Sequence, residues 1–161
     1  MTLYSPRSRN ELIKWIFIVI SRKIVKEFYT AKFYTILVDE TTDVSAKQQL
    51  VSCSRHVKED IFVQERFLLF EDVYDVTGKT IFNSIKRLLS KNSLEITYMV
   101  GQVMDGAAAM SGSQSGAQKF ISDDVTTAIY EHSVSHSLNL CQEKASQVPK
   151  YRYVLQPCAN W

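Results

Sequence analysis

Apolar positions change their spacing several times along the chain, and each change marks an element. From Arg9 to Tyr29 the residues Ile13, Ile16, Phe17, Ile20, Ile24 and Phe28 recur every three or four positions. That spacing predicts a helix with one apolar stripe, and Lys14, Arg22, Lys23 and Lys26 fall off it. The β-branched and aromatic run Phe33 to Val38 predicts a buried strand with Asp39 near its carboxyl end. Two further strands, Gln49 to Val57 and Ile61 to Phe70, flank the short polar turn "KED" and form a hairpin. The period then returns to helical. Thr77 caps a helix whose apolar face is Ile81, Phe82, Ile85, Leu88 and Leu89, with Lys86 and Arg87 interleaved. "ITYMVGQVMD" is again a strand that ends on an acid, Asp105. A weaker helix at Gln114 to Ser122, a short strand at Thr127 to Glu131 and a helix from His136 to Gln147 follow, and no strong period lies beyond Pro149.

Helix, three strands, helix, strand, helix, strand, helix is the order of an α/β domain, a mixed sheet with helices on its faces. The hydrophobic fraction of 45% across 161 residues suits one globular core. Its formal charge of +2, from 19 basic and 17 acidic residues, exerts no overall pull on a polyanion, so nucleic-acid binding requires a local patch. Cys53, Cys141 and Cys158 lack framework spacing and point to free thiols in a reducing, intracellular setting. "WIFIVI" is far shorter than the roughly 20 residues that cross a bilayer and has no cleavage site, so neither a membrane partner nor a signal peptide is expected.

Two acids, Asp39 and Asp105, each close an apolar strand. If those strands are neighbours, the carboxylates converge at one sheet edge as hard oxygen ligands for Mg²⁺ or Mn²⁺, the set that phosphodiester chemistry uses. Gly106, Ala107 and Ala108 leave room for a bulky backbone. Acids at strand ends also serve as turn formers and caps, and Asp43 is a competing ligand, so the residues alone leave both readings open. In "HSVSH", His132 and His136 are four apart. Ser133 replaces the glutamate of a HExxH protease, a strand-to-helix boundary falls inside the segment, and elbow glycines for a serine hydrolase are lacking. "SGSQSGAQK" lacks phosphate-loop spacing and reads as a flexible loop before a helix. Lys79, Lys86, Arg87 and Lys91 along one helix could touch phosphates or form a solvated face.

Taken in order and spacing, "ILVDETTDVSAKQQL", "ERFLLF", "GQVMDGAAAMSGSQSGAQ" and "HSVSHSLNL" resemble the domain of unknown function in hAT-superfamily transposases and transposase-derived proteins. That group includes relatives of zinc finger MYM-type proteins and of the 52 kDa repressor of the protein kinase inhibitor. The resemblance covers roughly Phe28 to Cys141. It implies an RNase H-like fold, three antiparallel strands followed by parallel ones, and a DDE-type site that cuts and joins DNA with Mg²⁺ or Mn²⁺. Its first and second acids fall on Asp39 and Asp105. Met104 stands where the family has an aromatic and Ala109 where it has asparagine. The C-x-x-H motif becomes Ser133 and His136, a motif remnant, with Ser137 in place of arginine.

The resemblance also implies a third acid, a glutamate beyond a long helical insertion, then a dimerisation region, and an amino-terminal zinc-binding finger in full-length relatives. None of these is in the sequence, and Glu143 falls on the wrong element. The chain is therefore read as a C-terminally truncated, incomplete core: an amino-terminal helix over 1–30, a partial RNase H-like core over 31–148 and an irregular tail over 149–161. The expectation is a transposase-derived domain, nuclear by resemblance, inactive alone and without the family-type dimer. DNA is its ancestral partner and Lys79, Lys86 and Arg87 are its candidate phosphate contacts. The alternatives are a non-enzymatic module that binds protein or nucleic acid, and a residual gene fragment without activity.

Overall fold

A computed structural model of the chain describes residues 5–42, 45–58 and 60–148. Helix α1 (Pro6–Ala31) begins at Ser5, whose hydroxyl accepts from the Ser8 amide at 3.1 Å. Pro6 takes the first helical position, where a missing N–H leaves no bond unmade. The stripe foreseen along this helix meets the core only at its end: Phe28 is buried and Ile24 packs beside it. Toward the amino end Leu12, Trp15, Phe17 and Ile20 all stand at least half exposed. Periodicity fixes the helix but does not supply a surface for its first half.

Five strands form one sheet in the order β3-β2-β1-β4-β5. Strands β1 (Tyr34–Thr42), β2 (Gln48–Val57) and β3 (Val63–Asp72) are antiparallel, whereas β4 (Met99–Met104) and β5 (Ile129–His132) join β1 in parallel. This is the mixed sheet that the order of elements predicts. Strand β1 alternates, burying Tyr34, Ile36 and Val38 and turning Thr35, Leu37 and Asp39 to the other face.

Strand β3 starts two residues later than its apolar run suggests. Ile61 has φ 58°, in the left-handed region, and its amide donates to the Lys58 carbonyl at 2.9 Å, so it belongs to the turn. Further on, Ser52 pairs with Leu69 and Cys53 with Phe67, a bulge that leaves Leu68 as the extra residue. It explains the doubled pattern "FLLF". Phe67 and Phe70 come to one face with ring centroids 4.9 Å apart, while Leu68 is buried and Leu69 packs on the core.

Helix α2 (Gly78–Lys91) is capped by Thr77, which accepts from the Thr80 amide, and it buries Ile81, Ile85, Leu88 and Leu89. One cluster joins these side chains to Ile36, Val38 and Leu50 of the sheet and to Met104, Met110 and Ile121. A single 3₁₀ turn over Ile96–Tyr98 occupies the first part of the foreseen fourth strand. The weaker helix expected at Gln114 to Ser122 is α4 (Ala117–Asp124), and a short helix α3 (Ala108–Ser111) precedes it inside the small-residue loop. Between them Gly116 donates to the Gly112 carbonyl at 3.0 Å, and Gly78 lies against the Ser115–Ala117 backbone. Gln102, fully buried on β4, donates to the carbonyls of Gln118 and Ala128, both at 3.2 Å, and so ties the strand to α4 and the turn after it.

Helix α5 (Val134–Ser146) closes the described fold. Cys53 and Cys141 are free thiols, whereas Cys158, Asp43 and the foreseen tail lie outside the described residues. Among the described residues no helix is long and apolar enough to cross a membrane.

Candidate metal centre

Register brings the two acids together. Thr35 pairs with Gly101, Ile36 with Gln102 and Leu37 with Val103, an offset of 66 residues that is also the separation of Asp39 from Asp105. Continued by two residues, this parallel ladder sets the carboxylates side by side on the sheet face opposite Ile36 and Val38, at the spacing of neighbouring strands, about 4.8 Å.

Each carboxylate is fixed locally. Asp39 Oδ1 accepts from the Glu40 amide at 2.9 Å, and Asp105 Oδ1 accepts from the Ala107 amide at 3.0 Å, an Asx turn that leads into α3. The Tyr130 hydroxyl donates to the Asp105 carbonyl at 3.3 Å, which holds β5 against the same turn. Asp105 is only 8% exposed, and among the described residues neither Asp39 nor Asp105 forms an ion pair with lysine or arginine. A buried carboxylate beside a second, exposed carboxylate, with no lysine or arginine of the described residues paired to either, is a concentration of negative charge that could hold a cation. Glu40 registers that field: its carboxyl is held above the ordinary value by burial first, and then by Asp105 and Asp39.

A third ligand comes from α5. Ser133 caps this helix, its hydroxyl accepting from the His136 amide at 3.3 Å, while its own amide donates to the Met104 carbonyl at 2.8 Å. The cap is thus bonded to the residue just before Asp105, and His136, in the first turn, reaches the acids. Ligand atoms of Asp39, Asp105 and His136 all lie within 4.8 Å of one another. That span fits one cation, since two metal–ligand bonds end to end measure about 4–5 Å.

From the sequence His136 is only part of a motif remnant. Its signal was the cap spacing from Ser133, which has meaning only once β5 and β4 are known to be neighbours. Ser133 itself serves as a helix cap. Glu143 stands exposed on α5 and outside the cluster. The room foreseen beside Asp105 is partly filled. An added Cβ at Gly106 would lie 2.7 Å from His132 Nε2, and the other imidazole nitrogen is bonded to the Ser137 hydroxyl at 3.1 Å.

The foreseen phosphate contacts divide along α2. Lys86 Nζ donates to Asp124 at 2.9 Å and lies over the Phe82 ring, and Arg87 pairs with Glu71, so both have protein partners. Lys79 and Lys91 are exposed near the two ends of the helix.

The sequence profile of DUF4371, described as the ZMYM1/FAM200 RNase-like domain, matches residues 1–116. That span contains β1 to β4, Asp39 and Asp105 and stops short of His136. With well over half its length matched and a five-stranded mixed sheet flanked by helices, the chain belongs to the ZMYM1/FAM200 RNase-like domain family.

Proposed function

We propose that this chain is a transposase-derived, nuclease-like module of hAT type whose Asp39, Asp105 and His136 hold a divalent cation beside a DNA phosphodiester. The observation that carries this reading is the convergence of three ligand atoms within 4.8 Å, where a buried carboxylate pairs with no lysine or arginine among the described residues. A bound cation would supply Lewis-acid polarisation of a phosphate oxygen. The residues themselves orient it: the Asx turn fixes Asp105, the parallel register fixes Asp39, and the Ser133 cap fixes His136. Lys79, exposed at the start of α2, is the candidate backbone contact, and the nucleus is the proposed compartment.

Calorimetric titration with divalent chlorides, followed by cleavage of supercoiled DNA, tests the reading. Saturable binding, weakened about tenfold or more by Asp39→Asn or Asp105→Asn, supports the cation site, and metal-dependent nicking supports the nuclease assignment. Binding without nicking would leave a metal-binding module that acts through partners. A folded chain that binds no divalent cation would reject the proposal.

A further inference from the structure

We infer that the site selects a first-row transition cation, Mn²⁺ or one later in the series, over Mg²⁺. The inference rests on the cation reading above and adds the identity of the ion. Three observations lead to it. Two of the three converging ligands are carboxylates, which suit Mg²⁺ and Mn²⁺ equally well. The third is an imidazole, a nitrogen donor that Mn²⁺, Co²⁺ and Zn²⁺ accept readily and that Mg²⁺, a hard ion slow to shed its water, takes poorly. Among the described residues no further His, Cys, Asp or Glu joins the cluster, so none of them adds a carboxylate that would offset that preference.

The imidazole is also held in place. His136 lies in the first turn of a helix whose cap residue is bonded through its backbone to Met104, so discarding the nitrogen ligand would require moving the start of α5. His132 is the natural internal control. It stands four residues earlier, one ring nitrogen is engaged with Ser137, and it lies outside the cluster.

The test is calorimetry of the whole chain with MgCl₂, MnCl₂ and ZnCl₂, together with Co²⁺ absorption, whose visible bands report nitrogen ligation. The expected result is Mn²⁺ binding at least about tenfold tighter than Mg²⁺, with Zn²⁺ tighter still along the Irving–Williams order. His136→Ala should abolish most of that difference, His132→Ala should preserve it, and His136→Asp should move the preference toward Mg²⁺. Circular dichroism and amide NMR establish that each variant folds. Equal affinities for Mg²⁺ and Mn²⁺, or Mn²⁺ binding indifferent to His136→Ala, would overturn the inference while leaving a carboxylate cation site standing. Failure of every cation to bind the folded chain would overturn both.

Discussion

His56 is the most exposed to test of the buried polar groups. Its side chain is wholly inaccessible, both ring nitrogens lack a hydrogen-bond partner, and the Phe28 ring lies 4.6 Å away, centroid to centroid. Glu27 Oε2 is 3.9 Å from Nε2, too far for a hydrogen bond, because that carboxylate is engaged with Arg66 at 2.8 Å. Burial lowers the pKa of His56 from its ordinary 6.5; Arg66 and Lys58 push the same way and Glu27 opposes them. At pH 7 the folded ring is neutral and the unfolded one, at its ordinary value, is mostly so. Below 6.5 the unfolded chain takes up a proton that the folded one resists, so stability falls with pH, by at most about 1.4 kcal/mol per pH unit. Glu27 acts in a separate window. Its pKa is lowered, chiefly by the Arg66 hydrogen bond, so its contribution is full above 4.5 and is lost as pH falls through the folded value. Replacing His56 by leucine removes two unsatisfied nitrogens, each costing about 1–3 kcal/mol when buried alone, and forfeits some ring packing. His56→Leu should gain about 1 kcal/mol at pH 7 and more at pH 5.5, with a flatter dependence between the two. Urea unfolding followed by circular dichroism at both pH values measures it. An unchanged pH slope, or a variant less stable at pH 7, would refute the argument.

The remaining expectations concern backbone and charge. Ile61→Gly should raise stability by about 0.5–1 kcal/mol, since a β-branched residue at φ 58° is strained by roughly 1–2 kcal/mol and glycine returns part of that as chain entropy; a lower melting temperature would contradict it. Gly78→Ala should cost about 1–3 kcal/mol although alanine is the better helix former, because the added Cβ would lie 2.1 Å from the Ser115 carbonyl oxygen and 2.7 Å from the Ala117 amide nitrogen. A urea midpoint equal to that of the parent chain would count against the close approach. Glu40 should titrate above 4.5 by carbon-detected NMR, and a diamagnetic divalent cation should move its midpoint down by cancelling the push of Asp105 and Asp39. A midpoint indifferent to the cation would place the ion elsewhere. Because a raised carboxyl favours the protonated folded state, Glu40→Gln should stabilise the chain at pH 7, and the gain should vanish toward pH 4.5.

Local pattern carried the elements whose partners are built into their own period. Helix α2 buries the face that its spacing marks, and Asp39, inside β1 because that strand runs on to Thr42, is separated from Asp105, just after β4, by the ladder offset. It misled where one residue obeyed the tertiary fold rather than its type. Ile61 reads as strand but turns the chain, and "FLLF" breaks alternation because a bulge absorbs Leu68. The first half of α1 has helical period without a surface to meet. Gly106 reads as space beside Asp105, whereas His132 fills it, and "SGSQSGAQK" reads as a flexible loop, whereas Gly112 and Gly116 close on each other and Gly78 closes on the same loop. His136 was the least legible, because its position depends on a cap bonded to a strand 29 residues earlier in the chain, at Met104.

Helix α5 buries none of its 13 residues. Its first turn is tied down through Ser133, bonded to the Met104 carbonyl, and there His136 comes beside the acids. With nothing buried along its length, the placing of this helix rests on the two hydrogen bonds of Ser133, to the His136 amide and to the Met104 carbonyl. If the three residues hold a cation, its affinity would be the intrinsic one reduced by whatever fraction of molecules lacks α5 in place. A cation bound at His136 would in turn act as the fastening that the hydrophobic core does not provide.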